Sequence, residues 1–261
     1  MNTSLMEHNP THTYPWRVFF VLLLAGSIGA AAVIPYALAS SAATLRTVPI
    51  PLALIAILQI VQGVIFVAIA ASLGLLISSR FGLGAPLLQA WLYKGRTHGS
   101  LRRLGKWTLS GVSVGVIVAV LERFVFLRVN PQLSSTDIDI AQWKRLLACL
   151  YGGINEEILM RLFFLALALW VFSKFRGGQL GLATFWTANF LVALVFGASH
   201  LPGAALTMPL TVSLILYVLV LNGIASLVFG YLFWQGGLEA AMLAHFSADL
   251  ILQVIVPIVL P

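Results

Sequence analysis

Charge is scarce in this sequence. Asp, Glu, Lys and Arg make up 9% of its 261 residues, against 60% hydrophobic. A soluble domain of that size needs a charged surface that this chain does not have, which excludes a water-soluble globular protein. Cysteine is almost absent too: Cys149 stands alone, so no internal disulfide can form and the chain carries no sign of its redox compartment. The alternating pattern of strands is missing, which argues against a transmembrane barrel. No internal repeat is visible, which removes the usual mark of a transporter. The net charge of +7 requires no nucleic-acid partner, because anionic lipid headgroups and a bias of basic loops to one membrane side account for it.

What the chain has is long apolar runs, with a mean hydropathy of +1.00. A spanning helix needs about 20 apolar residues. Trp16–Ala39, Ile50–Ser78, Trp107–Leu127, Gln142–Ser173, Leu180–His200, Thr207–Phe233 and Leu238–Leu260 read as about seven spans. The expected fold is all-α, a polytopic transmembrane helix bundle. Residues 1–141 hold N-terminal transmembrane helices with a basic interfacial segment, and residues 142–261 hold the helix core that bears the chemistry. The first span ends at Pro35-Tyr36 rather than at a small-residue cleavage site, so it is read as retained.

Orientation follows from the short basic loops. Arg80, Lys94, Arg96, Arg102, Arg103 and Lys106 fall in one, Lys174 and Arg176 in another, and both are expected in the cytoplasm. The N-terminus is then cytoplasmic and the C-terminus outside, although Arg128, Lys144 and Arg145 fall on the opposite side, partly offset by Asp137 and Asp139. Trp91 and Tyr93 among the first group of cations suit an anchor at headgroup depth. Short loops and compact size point to a prokaryotic plasma membrane.

Ionisable residues at bilayer depth are expensive, and their default reading is functional. In Asn155-Glu156-Glu157-Ile158-Leu159-Met160-Arg161, Glu157 and Arg161 stand four apart and pair on one helix face. Glu156 points about 100° away, without a local partner, as a general base requires. Phe196 and His200 share a face before Leu201-Pro202-Gly203, and His245 and Asp249 share another. The latter pair can fix the imidazole tautomer or offer two metal ligands. Blander readings attach to Glu122-Arg123, a packing pair, and to Glu239, an acid at a helix N-terminus.

With a turn near Gly177-Gly178, Glu156 lies about 21 residues before it and His200 about 22 after it, so the two are expected to face each other at similar depth. His245 lies only about 9 residues past the turn near Gln235-Gly236, roughly 13 Å along the axis. For the site to close, the hairpin of spans four and five must project well beyond the turn between spans six and seven.

The ordered set Glu156-Glu157-x-x-x-Arg161, Phe196-x-x-x-His200 and His245-x-x-x-Asp249 resembles the CPBP family of membrane proteins, also called CAAX proteases and bacteriocin-processing or Abi proteins. The resemblance covers roughly Gln142 to Leu260. It implies a glutamate-dependent intramembrane endopeptidase in which Glu156 activates water, His200 helps to hold it, and His245 with its partner stabilises the oxyanion. Glu157, Arg161 and Phe196 are supports. Asp249 departs from the Asn form of the third motif, and an ionised Asp cannot donate to an oxyanion. No cofactor is favoured, although Glu156, His200, His245 and Asp249 form an acceptable mixed ligand set for zinc or another divalent metal. The partners implied are membrane lipid and a membrane-associated protein or peptide, cleaved in its C-terminal region. A scaffold or immunity protein of the same fold and a proton-coupled transporter are the alternatives.

Overall fold

The computed structural model describes residues 14–95, 100–129, 131, 140–175 and 181–259. Among the described residues every regular element is helical, as hydrocarbon demands of a backbone that must satisfy its own polar groups. In chain order the helices are α1 (Trp16–Ser40), α2 (Leu52–Phe81), α3 (Pro86–Leu92), α4 (Ser100–Leu121), α5 (Gln142–Phe175), α6 (Leu182–Ala205), α7 (Val212–Gly236) and α8 (Leu238–Val259). Among the described residues all but α3 and α4 are long and apolar enough to cross a membrane, six candidate spans of a multi-pass membrane protein.

That is one span fewer than seven. The segment Trp107–Leu127 belongs to α4 and the turns after it, where the apolar run from Trp107 to Leu121 is closed by Lys106 before it and Glu122-Arg123 after it. The run alone is shorter than the roughly 20 residues usual for a crossing, but helical turns continue it to Val129, and it makes the passage from α3 to α5 that sets the start of α1 and the end of α8 on opposite faces. Even so, α4 packs lengthwise on α8. Gly111 lies against the backbone of Ala244, and a Cβ on Gly115 would come within 2.8 Å of the Ala248 carbonyl, the small-residue contact on which membrane helices rely.

Two faces of the bundle can be told apart. The Tyr14 hydroxyl donates to the Ser72 carbonyl at 3.1 Å, and Arg17 donates to the Leu92 carbonyl at 3.5 Å. The start of α1, the end of α2 and α3 therefore meet at one face, with Trp107 of α4 packed on Gly236 at the end of α7. This basic face carries Arg17, Arg80, Lys94, Arg102, Arg103 and Lys106. The distal face carries Arg46, Arg123, Arg128, Lys144, Arg145, the residues between α6 and α7, and the last turn of α8.

At the basic face α3 is clamped to the start of α8. The Leu238 N–H donates to the Gly84 carbonyl at 2.8 Å, and the Leu88 N–H donates to Glu239 Oε1 at 2.7 Å. Between α7 and α8 the chain turns at Gly237 with φ 86°, a left-handed value that suits glycine, and the Pro86 ring lies directly on it. Glu239 thus holds the interfacial segment as well as opening a helix.

The turn near Gly177-Gly178 lies outside the described residues. The overhang expected of its hairpin is not found on α6: Phe185, in the first turn of α6, stacks on Trp234 near the end of α7 with ring centroids 4.0 Å apart. Within α5, Gly152–Glu156 and Ile158–Leu165 are π-helical, and their i→i+5 turns hold more residues per unit length than an α-helix.

Candidate active site

At the centre, Glu157 and Arg161 are both 0% exposed, with Arg161 Nε 3.1 Å from Glu157 Oε2. The guanidinium donates to the Ser226 carbonyl at 3.3 Å and stands over the rings of Phe196 and Phe229 at 5.2 and 5.6 Å. Two aromatic faces and a carboxylate therefore compensate a cation held away from water.

The second oxygen of Glu157 does more. Oε1 lies 2.7 Å from His245 Nδ1, so the imidazole donates through Nδ1 and its tautomer is fixed from α5. Phe229 stacks on the ring at 4.6 Å and Phe196 meets it edge-on at 5.8 Å. His245 Nε2 points the other way, 3.8 Å from Glu156 Oε2 and 3.7 Å from Asp249 Oδ2. Glu156 and Asp249 keep some exposure, 23% and 15%, whereas His245 has 6%.

Two expectations change here. Asp249 was a candidate to hold the His245 tautomer, but it approaches Nε2, because the i,i+4 spacing sets it one turn further along α8 while Nδ1 faces α5. His200 was expected opposite Glu156, yet the imidazole that meets Glu156 belongs to His245. His200 Nδ1 is 2.8 Å from the Phe196 carbonyl, to which it donates, and the ring packs on Phe196 at 4.7 Å. His200 lies within electrostatic reach of Asp249, with Nε2 left to accept a proton. The polar clusters of α5, α6 and α8 thus do assemble, around His245 rather than around a Glu156–His200 axis.

Several contributors were not evident from residue chemistry. A Cβ on Gly152 would run into Asp249 Oδ2 and come within 3.2 Å of His245 Nε2, so this glycine keeps open the space where three polar groups converge. A Cβ on Gly153 would lie 2.9 Å from Phe246 Cβ, so its bareness brings α5 and α8 together. The signal was present: paired glycines inside a helix cost about 1 kcal/mol each relative to alanine, which calls for a packing reason. Phe229, Ser226 and Gln253, whose side chain hydrogen-bonds Asp249, had no such mark.

Among the described residues, no group of three or more His, Cys, Asp and Glu side chains is arranged to hold a metal ion. Nδ1 of His245 is taken by Glu157 and Nδ1 of His200 by a carbonyl, which leaves Nε2 as the uncommitted nitrogen of each ring.

Neither a curated protein nor a solved structure matches the chain. A family model does: residues 140–251 match Rce1-like, the type II CAAX prenyl endopeptidases.

Proposed function

We propose that this chain, whose residues 140–251 match the Rce1-like model of type II CAAX prenyl endopeptidases, is an intramembrane endopeptidase in which Glu156 activates the water. One observation supports this most directly. Arg161 is engaged by Glu157, and the partly exposed Glu156 carboxylate faces Nε2 of an imidazole whose other nitrogen is already committed.

In this scheme a peptide carbonyl enters beside His245 Nε2. Glu156 takes a proton from a water at its carboxylate, which His200 helps to orient from the Asp249 side, and the resulting hydroxide attacks the carbonyl carbon. The imidazolium form of His245, compensated through Nδ1 by Glu157, directs Nε2–H at the developing oxyanion. Glu156 then passes the proton to the leaving amine as the C–N bond breaks, leaving a carboxylate and an amine. Asp249, as an ionised acceptor, serves by orienting His200 and His245 rather than by donating. The substrate is a membrane-associated protein or peptide cut in its C-terminal region, and no step passes through a metal.

Cleavage of a panel of membrane-anchored peptides by the purified protein in detergent tests this. Glu156→Gln is expected to abolish product while leaving thermal unfolding unchanged, and wild-type cleavage is expected to persist in a strong chelator. Activity in Glu156→Gln would refute the assignment of the base, and loss in the chelator would replace the scheme with a metal-assisted one.

A further inference from the structure

We infer that the catalytic chamber is closed toward the basic face and open toward the distal face, so that its polypeptide substrate is presented on the extracytoplasmic side of the membrane. The substrate in this statement rests on the endopeptidase reading; the geometry does not.

Exposure changes sharply across His245. Toward the basic face its surroundings are dry: Leu238, Ala240, Ala241, Phe233 and Leu165 are each 0% exposed. Beyond them α3 is strapped over the start of α8 through Gly84–Leu238 and Leu88–Glu239. A polypeptide approaching from that side would have to bury its amides against aliphatic and aromatic carbon, at several kcal/mol for each group left unpaired.

Toward the distal face the lining is polar and partly open. Asp249 lies one turn beyond His245, Gln253 hydrogen-bonds it from the next turn, and His200 ends the first, long part of α6. His200, Gln253 and Tyr36 are all half-buried. Tyr36 is within electrostatic reach of both Asp249 and Arg145, which continues the polar lining to the first turn of α5. Gly152 leaves the approach to His245 Nε2 free of side chain on the α5 wall. Donors and acceptors that could accompany an extended backbone thus follow one another on this side, whereas the polar Arg161 and Asn189 toward the basic face are fully enclosed.

Charge supplies the second half independently. Among the described residues seven cations stand at the basic face, Lys94 between α3 and α4 and Arg17, Arg80, Arg102, Arg103, Lys106 and Lys174 near the helix ends there, against Arg46, Arg123, Arg128, Lys144 and Arg145 at the distal face; the excess of positive residues marks the cytoplasmic side. The open end then looks away from the cytoplasm. Substrates so reached are membrane-anchored polypeptides whose scissile region lies across the membrane from the site of synthesis, not cytoplasmic C-termini.

Single-cysteine variants made in Cys149→Ala and expressed in a bacterial inner membrane test both halves, read by a membrane-impermeant maleimide in spheroplasts and in inside-out vesicles. Thr207→Cys marks the distal face, Lys94→Cys the basic face and Gln253→Cys the chamber. Gln253→Cys is expected to label with Thr207→Cys from outside spheroplasts, and Lys94→Cys only in inside-out vesicles. Labelling of Gln253→Cys together with Lys94→Cys, or from neither face, would overturn the one-ended chamber. Labelling of Thr207→Cys only in inside-out vesicles would overturn the extracytoplasmic assignment. None of these readouts needs catalysis, so a failed endopeptidase reading would show itself separately, as wild-type protein that labels as expected and cleaves nothing.

Discussion

Glu157→Gln separates stability from chemistry at the centre of the site. The wild-type carboxylate accepts from His245 Nδ1 at 2.7 Å and lies 3.1 Å from Arg161 Nε, with both residues of the ion pair fully buried. Glutamine has one acceptor oxygen, so it can serve the imidazole or the guanidinium but not both, and its amide then aims a donor at the other. Removing one partner of a buried pair costs about 3–5 kcal/mol, because the remaining charge is stranded. Phe196 and Phe229, 5.2 and 5.6 Å from the guanidinium, place the cost toward the lower end through cation–π attraction. At about 2–4 °C per kcal/mol for a chain of this length, unfolding in detergent is expected about 6–15 °C lower. The double variant Glu157→Gln/Arg161→Met removes the stranded charge and should recover most of that loss. It should not recover cleavage, since the carboxylate that fixes the His245 tautomer and compensates its charge is still missing; kcat is expected to stay down by about 10²–10⁴-fold. Glu157→Gln unfolding within a degree of wild type, or a double variant restored to full activity, would refute the linkage from Arg161 through Glu157 to His245.

Gly152→Ala should lower kcat/KM by about 10²-fold, because a 1 Å misplacement at reacting groups is enough for that; unfolding and kinetics measured together will show activity lost out of proportion to stability. Asp249→Asn, which keeps the shape and adds an amide donor beside His245 Nε2, is expected to hold kcat within about 10-fold of wild type, whereas Asp249→Leu should fall by about 10²-fold or more in the same assay. Glu239→Ala removes the carboxylate that accepts the Leu88 N–H and should destabilise the protein by about 1–3 kcal/mol, with proteolysis of the 82–92 segment rising faster than cutting elsewhere.

Much of this protein is legible in the order of its residues. Scarce charge and long apolar runs compel membrane helices, since no other backbone arrangement made of such runs satisfies its hydrogen bonds in hydrocarbon. The pairing of Glu157 with Arg161 is also fixed locally, by spacing along one helix. The segment Trp107–Leu127 shows where composition stops deciding: it reads as a span although its unbroken apolar core is shorter than a crossing needs, and packing on Ala244 and Ala248 sets α4 lengthwise on α8. Which polar clusters meet was legible in the sequence; which atoms pair was not. That His245 turns Nδ1 to Glu157 and Nε2 to Glu156, that His200 donates to its own Phe196 carbonyl, and that Gly152 clears the space among them depend on helix rotation and on the π-helical turns of α5. Sequence spacing sets which groups share a face of one helix; tertiary packing alone sets which faces meet, because lipid-facing and partner-facing apolar surfaces are chemically alike.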